Sequence, residues 1–283
     1  MKIKPRAMGA RLSLMVAALA LGILVMNTAT GEERVVKIAS AQIFCLDGDR
    51  SGNLVRIENA VSRAKSEGAD LVAFPESCLF GWVNPDAHKR ACPIPGEDSD
   101  ILCGFAKRHK IFIHIGLDEK EGDKLYGAAI LIDDEGKILL KHRKNNVLAE
   151  LMTPPYTPGS GVSAVATKLG RIGMMICADS FRASLLGQMR ELNPDYVLIP
   201  YGWAAKESQW PDHGLELKKT VQKAAKAIGR PVIGTDLVGA ISKGPWAGQV
   251  YGGQSIGADG AGEVLFVSKD RDADLTLITL RTR

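Results

Sequence analysis

The chain has 283 residues, 46% of them hydrophobic, and a formal net charge of +4. That is enough apolar material for one large core. Residues 1–31 carry four basic side chains and no acidic one, which leaves 32 of each sign in the remainder, so the charge balance gives no basic face for nucleic acid.

Taken in chain order, the first segment stands apart. Lys2, Lys4, Arg6 and Arg11 precede an uncharged run from Leu12 to Met26, followed by Asn-Thr-Ala29-Thr-Gly31. A basic start, an apolar stretch and a small-residue site read as a secretory signal peptide over residues 1–31, cut before Glu32. The run is short for a membrane span. The expectation is an exported protein, periplasmic or secreted, with no stable membrane insertion and a single domain over residues 32–283.

Beyond it, Val35–Gln42 reads as a strand. Asn53–Glu67 is an amphipathic helix with Leu54, Ile57, Val61 and Ala64 on one face and Gly68 to close it. Asp70–Phe74 reads as a strand, apolar throughout after Asp70 as in one covered on both sides, and runs into Pro75-Glu76-Ser77. Ser99–Lys110 reads as a helix and Ile111–Gly116 as a strand. Leu125–Ile132 and Lys137–Leu140 form a hairpin around Asp133–Gly136. A basic run, Lys141-His-Arg-Lys144, follows; if the strand geometry persists, His142 and Lys144 share one face and Arg143 and a solvated Lys141 the other, and a proline-rich loop over 145–160 comes next. Ser163–Lys168 and Arg171–Ile176 make a second hairpin, Phe181–Leu192 a helix, and Asp195–Pro200 a strand. Asp212–Gly229 is a helix and Pro231–Asp236 a strand. Gln249–Gly257 and Glu263–Val267 form a third hairpin, and Leu275–Leu280 closes the chain. Helices alternating with strands, and hairpins between them, indicate an α/β domain with a mixed sheet and helices outside.

Five cysteines occur, at 45, 78, 92, 103 and 177. No Cys/His spacing suggests zinc, and an odd count in an exported protein leaves one thiol unpaired. Cys92 and Cys103 are the first pair to test for a disulfide. Cys177 ends an apolar strand where the chain turns toward a helix, a place where α/β folds set reactive groups beside free backbone N–H donors. Two other polar residues terminate apolar strands in the same way, Glu76 and Lys144. The chemistry of that trio is coherent. A carboxylate can take the proton of a thiol as it attacks, and a lysine can hold the negative charge that develops on the attacked group. The backbone N–H of Ala178 is the natural second donor. Read singly, Glu76 is a helix-start carboxylate, Lys144 a solvated charge, and Cys177 a small buried residue.

Together, Phe74-Pro-Glu76, His142-Arg-Lys144 and Ile176-Cys177-Ala-Asp179 resemble the three signatures of the nitrilase, or carbon–nitrogen hydrolase, superfamily, in the same order. Ala39–Gln42, Leu125–Lys137, Tyr156–Gly159, Gly170–Gly173 and Gly253–Ile256 extend the likeness over roughly residues 35 to 280. The resemblance implies an α-β-β-α sandwich, often paired as a homodimer or higher homo-oligomer. It implies Glu76 as general base, Lys144 as oxyanion stabiliser and Cys177 as nucleophile, with a thioester intermediate and no metal or organic cofactor. The family's second glutamate would be Glu150, the only acid between Lys144 and Cys177, positioning the lysine and the substrate nitrogen. The segment after the nucleophile lacks both the Arg-Phe-Pro-Glu of many amidases and the Cys-Trp-Glu of true nitrilases. The expected reaction is hydrolysis of a small carboxamide or N-carbamoyl compound with release of ammonia or amine. The alternatives are a nitrilase, and an inactive binding protein on the same fold. Trp203 is expected to line the pocket, with a core position an equal alternative for it and for Trp82, and loops 84–98, 145–160 and 203–213 are expected to shape it.

Overall fold

The computed structural model describes residues 1–2 and 34–282. The chain divides into Met1–Glu32 and Glu33–Arg283. The signal peptide expected over residues 1–31 lies, past its first two residues, outside the described part. Among the described residues, no helix is long and apolar enough to cross a membrane.

The strands in chain order are β1 (Arg34–Gln42), β2 (Leu71–Ala73), β3 (Phe112–Glu121), β4 (Lys124–Ile132), β5 (Ile138–Arg143), β6 (Ser163–Thr167), β7 (Gly170–Met174) and β8 (Tyr196–Pro200). They continue with β9 (Ala204–Ala205), β10 (Val232–Thr235), β11 (Val238–Ala240), β12 (Val250–Gly252), β13 (Ile256–Ala258), β14 (Val264–Val267) and β15 (Asp274–Thr282). The helices are α1 (Arg50–Ser66), α2 (Ala87–Arg90), α3 (Glu97–His109), α4 (Ala183–Glu191) and α5 (Asp212–Ile228).

The single mixed sheet read from the alternation of elements is in fact two. One six-stranded sheet runs β15-β1-β2-β3-β4-β5 and the other β14-β13-β10-β8-β7-β6. Side chains of the first sheet alternate between two cores, as the period of a strand requires. Ala39, Val72, Ile113, Ile115 and Ile130 pack with Leu54, Ile57 and Val61 of α1 and Leu102 of α3. Their neighbours Ile38, Leu71, Ala73, Phe112, Ala129 and Leu131 pack with the second sheet. That sheet is covered in turn by Leu186 and Met189 of α4 and Leu217, Val221 and Ala225 of α5. The Ser40 and Thr235 hydroxyls meet at 3.1 Å between β1 and β10. The result is the expected α-β-β-α sandwich. Because both sheets are buried on both faces, their strands read alike, and apolar pattern alone does not sort them into two.

The strand expected over 249–257 is broken. Its first part, β12, joins β11 and β9 in a small third sheet, while β13 enters the second sandwich sheet. The break falls at Gly253, whose φ is +67°. The Gln42 amide lies where a Cβ on Gly253 would be, and Gln42 itself holds three backbone groups, the N–H of Ser255 and the carbonyls of Lys269 and Asp272. All five cysteines are free. Cys92 and Cys103 do not pair, because Cys92 is bridged to Glu119 at the sheet edge while Cys103 sits within α3.

Of the basic run, residues 141–143 continue the strand rather than following it, and Lys144 comes directly after its end. His142 and Lys144 are buried, whereas Lys141 and Arg143 project to the opposite side. There both bind the almost fully buried Glu119, Lys141 Nζ at 2.6 Å and Arg143 Nε at 2.7 Å. Lys141 is therefore an ion-paired edge residue rather than the solvated one expected.

Candidate active site

The sandwich brings several strand ends to one crevice. β1, β2 and β3 run parallel in the first sheet, as do β7, β8 and β10 in the second. Glu76 lies just past the end of β2, Cys177 past β7, Tyr201-Gly202-Trp203 past β8, and Asp236 directly after β10. Lys144 follows β5. Crevices beyond the carboxyl ends of parallel strands are the usual ligand sites of α/β sheets.

Lys144 Nζ donates to Glu76 Oε1 at 2.6 Å, with both side chains about 95% buried. The second oxygen, Oε2, accepts the Gly202 N–H at 3.1 Å. The same N–H faces the Cys177 sulfur, and Lys144 and Glu76 both act on that sulfur electrostatically. Burial pushes the Cys177 thiol well above its usual range, with Lys144 and the Gly202 N–H pulling the other way. Burial would lower the Lys144 ammonium, but the Glu76 carboxylate, by its charge and its hydrogen bond, outweighs it and holds the lysine protonated. The three residues that the sequence singles out thus meet in one buried cluster. Glu76 reaches its place because β3 carries Gly116 beside it: a Cβ there would stand 2.5 Å from the Glu76 Cα.

Local strain concentrates here. Cys177 has φ +40° at the start of a 3₁₀ turn, Cys177–Phe181. Ser77, Val83 and Leu148 also adopt left-handed φ values, which a β-branched residue such as Val83 rarely does. Such conformations persist only where their surroundings hold them. Around Cys177 the holding group is Asp179. Its Oδ2 accepts the Ile176 N–H at 3.1 Å and His142 Nε2 at 2.8 Å. Its Oδ1 accepts the N–H groups of Asn145 and Asn146, both at 2.8 Å. One carboxylate therefore ties the residue before Cys177 to the two residues after Lys144. Burial would raise the Asp179 carboxyl, but His142 and the backbone donors hold it below its ordinary value. Asn146 Nδ2 also binds the Ala178 carbonyl at 2.8 Å, and Ala178 N–H lies in the first turn, where helical N–H groups have no partner within the turn.

Two further acids lie behind the cluster. Tyr156 hydroxyl donates to Asp118 Oδ1 at 2.6 Å and Ser77 hydroxyl at 3.3 Å. Burial pushes the Asp118 carboxyl up to about 7, helped by the Glu76 charge and opposed by Tyr156 and Ser77. Asp236 Oδ1 accepts the Trp203 N–H at 2.7 Å, and burial keeps its carboxyl well above the normal range. The sequence reading assigned no role to Asp118, Asp236, His142 or Gly202. A polar residue directly after a strand was the available signal for Asp236.

Glu150 does not join the cluster. It is exposed on a 3₁₀ turn, Ala149–Leu151, and being the only acid in its stretch of chain does not aim it inward. Its neighbours Leu148 and Leu151 do line the site. A cavity of about 220 Å³ opens on Cys177 and is walled by Trp82, Phe181, Trp203 and Trp246, with His213 alongside. Loops 145–160 and 203–213 contribute as expected; loop 84–98 does not, and the loop carrying Trp246 takes its place. Among the described residues, no group of three or more His, Cys, Asp or Glu is set to hold a metal ion.

Residues 37–281 match the carbon–nitrogen hydrolase family. An (R)-stereoselective amidase from Pseudomonas sp. is 26% identical over 235 residues, covering 82% of this chain and 80% of that protein. A bifunctional nitrilase/nitrile hydratase from Nicotiana tabacum is 29% identical over 171 residues, 53% of this chain; the chain spans about half the length of that relative, 48%. A variant of the amidase from Nesterenkonia sp. AN1, with the acetamide moiety of fluoroacetamide added covalently at its active-site cysteine, superposes with a TM-score of 0.75 at 21% identity, covering 87% of this chain and 90% of the other.

Two expectations follow from the geometry. Asp179→Asn keeps the shape but loses acceptor strength toward four donors. It should lower kcat by about 10²-fold through misplacement of Lys144 and Cys177, with KM changing less and the folded state retained by circular dichroism; an unchanged kcat would contradict the clamp. Asp118 has a folded pKa raised from 3.8 to about 7. Its contribution to stability is full below pH ~4 and lost as pH rises toward 7. The denaturation midpoint of the wild type should therefore fall more steeply over that window than that of Asp118→Asn, and parallel curves would show that Asp118 does not retain its proton.

Proposed function

The chain belongs to the carbon–nitrogen hydrolase family, and on that footing we propose that it is an amidase acting through a Cys177 thioester, with Glu76 as base and Lys144 as oxyanion stabiliser. The observation that carries this reading is the buried Lys144–Glu76 pair, braced by the Gly202 N–H, whose two charges both act on the Cys177 sulfur.

Burial keeps Cys177 a thiol, so it needs a base at the moment of attack. The Glu76 carboxylate takes the thiol proton as sulfur bonds to the carbonyl carbon. The oxygen that gains negative charge is met by the Lys144 ammonium and the Ala178 N–H, donors fixed before the reaction. Glu76 returns its proton to the nitrogen, the C–N bond breaks, and ammonia leaves. Glu76 then takes a proton from water as its oxygen attacks the thioester, and the acid departs as the thiol re-forms. The modification reported for the Nesterenkonia amidase, at its own active-site cysteine, supports a covalent step on sulfur. An export segment over residues 1–31 and pairing into a homodimer belong to the same proposal, supported by the composition of those residues and by the family resemblance.

Ammonia release from amides, ureides and nitriles tests the reading. Cys177→Ala should abolish turnover. Lys144→Arg should fall nearly as far as Lys144→Ala, about 10²–10³ in kcat, because a planar guanidinium fits a tetrahedral centre poorly. Lys141→Ala should keep its kcat but melt at a lower temperature, having lost a partner of buried Glu119. Lys144→Arg at most of wild-type activity would remove Lys144 from the chemistry.

A further inference from the structure

The cavity on Cys177 has a chemical character that narrows the substrate. Among the described residues, no Lys, Arg, Asp or Glu side chain lines it; its walls are Trp82, Trp203, Trp246, Phe181, Leu148 and Leu151. His213, the one titratable group there besides the nucleophile, has its pKa lowered by burial and stacks on Trp203 at 5.3 Å. The two ionised groups nearest the sulfur, Lys144 and Glu76, are bound to each other. At about 220 Å³ the cavity falls below the roughly 300–1,000 Å³ of sites for drug-sized ligands.

The walls are also fixed in place. The Trp203 backbone N–H is held by Asp236 at 2.7 Å and its indole N–H donates to the His213 carbonyl at 3.2 Å. Phe181 meets its ring edge to face at 5.9 Å. Trp82 takes the Tyr251 hydroxyl on its backbone N–H at 2.9 Å and meets Trp246 edge to face at 5.1 Å. Such a box offers aromatic and apolar surface in set orientations. A carboxylate entering it would shed its water and find no charged partner, since His213 is held neutral, which is strongly unfavourable.

We propose that the acyl group of the substrate is small, neutral and apolar, with an aryl ring fitting the box best, and that acyl groups bearing a carboxylate are rejected. This rests on the amidase reading of the same site. It excludes the monoamides of dicarboxylic acids and N-carbamoyl amino acids, and it leaves primary amides of arylacetic and branched aliphatic acids.

Two measurements on the full chain separate this proposal from the amidase reading. The first compares kcat/KM for phenylacetamide, acetamide and succinamate. Phenylacetamide should exceed succinamate by at least about 10²-fold, and Trp246→Ala should lower the phenylacetamide-to-acetamide ratio about ten-fold. The second needs no turnover. An aldehyde adds the Cys177 thiol to its carbonyl carbon, the thiol proton passing to oxygen, and so shields the sulfur from iodoacetamide. Phenylacetaldehyde should shield Cys177, read by mass of its peptide, at far lower concentration than succinic semialdehyde. Equal or better protection by the semialdehyde, or protection by neither, overturns the proposal. Preferred hydrolysis of succinamate overturns it while leaving the amidase reading intact. Selective protection by phenylacetaldehyde in a protein that hydrolyses no amide sustains the pocket and removes the amidase.

Discussion

A buried ion pair between residues 68 apart in the chain, Lys144 and Glu76 at 2.6 Å, is what the site depends on. Neither charge has enough water to be stable alone. Breaking such a pair by removing one partner costs about 3–5 kcal/mol, because the other is left buried without compensation. Both strand ends must therefore arrive together, and the pair in turn sets the electrostatics that Cys177 meets. The fold supplies the approach. Gly116 lets the Glu76 backbone lie against β3, and the Lys144 N–H binds the Gly127 carbonyl of β4 at 2.8 Å, so each charged side chain hangs from backbone whose N–H is hydrogen-bonded.

The second sheet is coupled to that pair by short polar ties rather than by apolar packing. Gly202 N–H reaches Glu76 from the end of β8, the Glu76 N–H reaches the Tyr201 carbonyl at 3.2 Å, and Asp179 joins the Cys177 turn to the residues after Lys144. The left-handed backbone at Cys177 is a local cost that these ties hold in place. A site made of strand ends from two sheets is held by both, since the central strands of each are buried, and the cavity wall is tied to them through Asp236 and Trp203.

The clustering of Glu76, Lys144 and Cys177 was legible because each member ends an apolar strand, and because their order and flanking residues resemble one family. What lay beyond that was set by packing between distant segments. Glu150 was chosen as the only acid in its stretch, but a loop carboxylate goes where water is available, and it faces solvent. Lys141 looked like part of a solvated run; the alternation of β5 was readable and separated it from Lys144, but its partner Glu119 sits on β3, one strand over from β4. Cys92 and Cys103 were plausible partners by position, but a disulfide requires Cα atoms within about 7 Å and converging Cβ vectors, which chain order does not reveal. Trp246 carried no signal at all, as it enters the cavity from a loop 69 residues beyond Cys177.

The central claim is that this cluster forms a covalent acyl intermediate on sulfur. The most direct test is acid quenching of the protein during turnover of a hydrolysed amide, followed by intact and peptide mass measurement. The account predicts a mass increase equal to the acyl group, mapped to the peptide containing Cys177 and absent from the other four cysteines. Turnover with no acyl adduct at any time, or an adduct on a different residue, would contradict it.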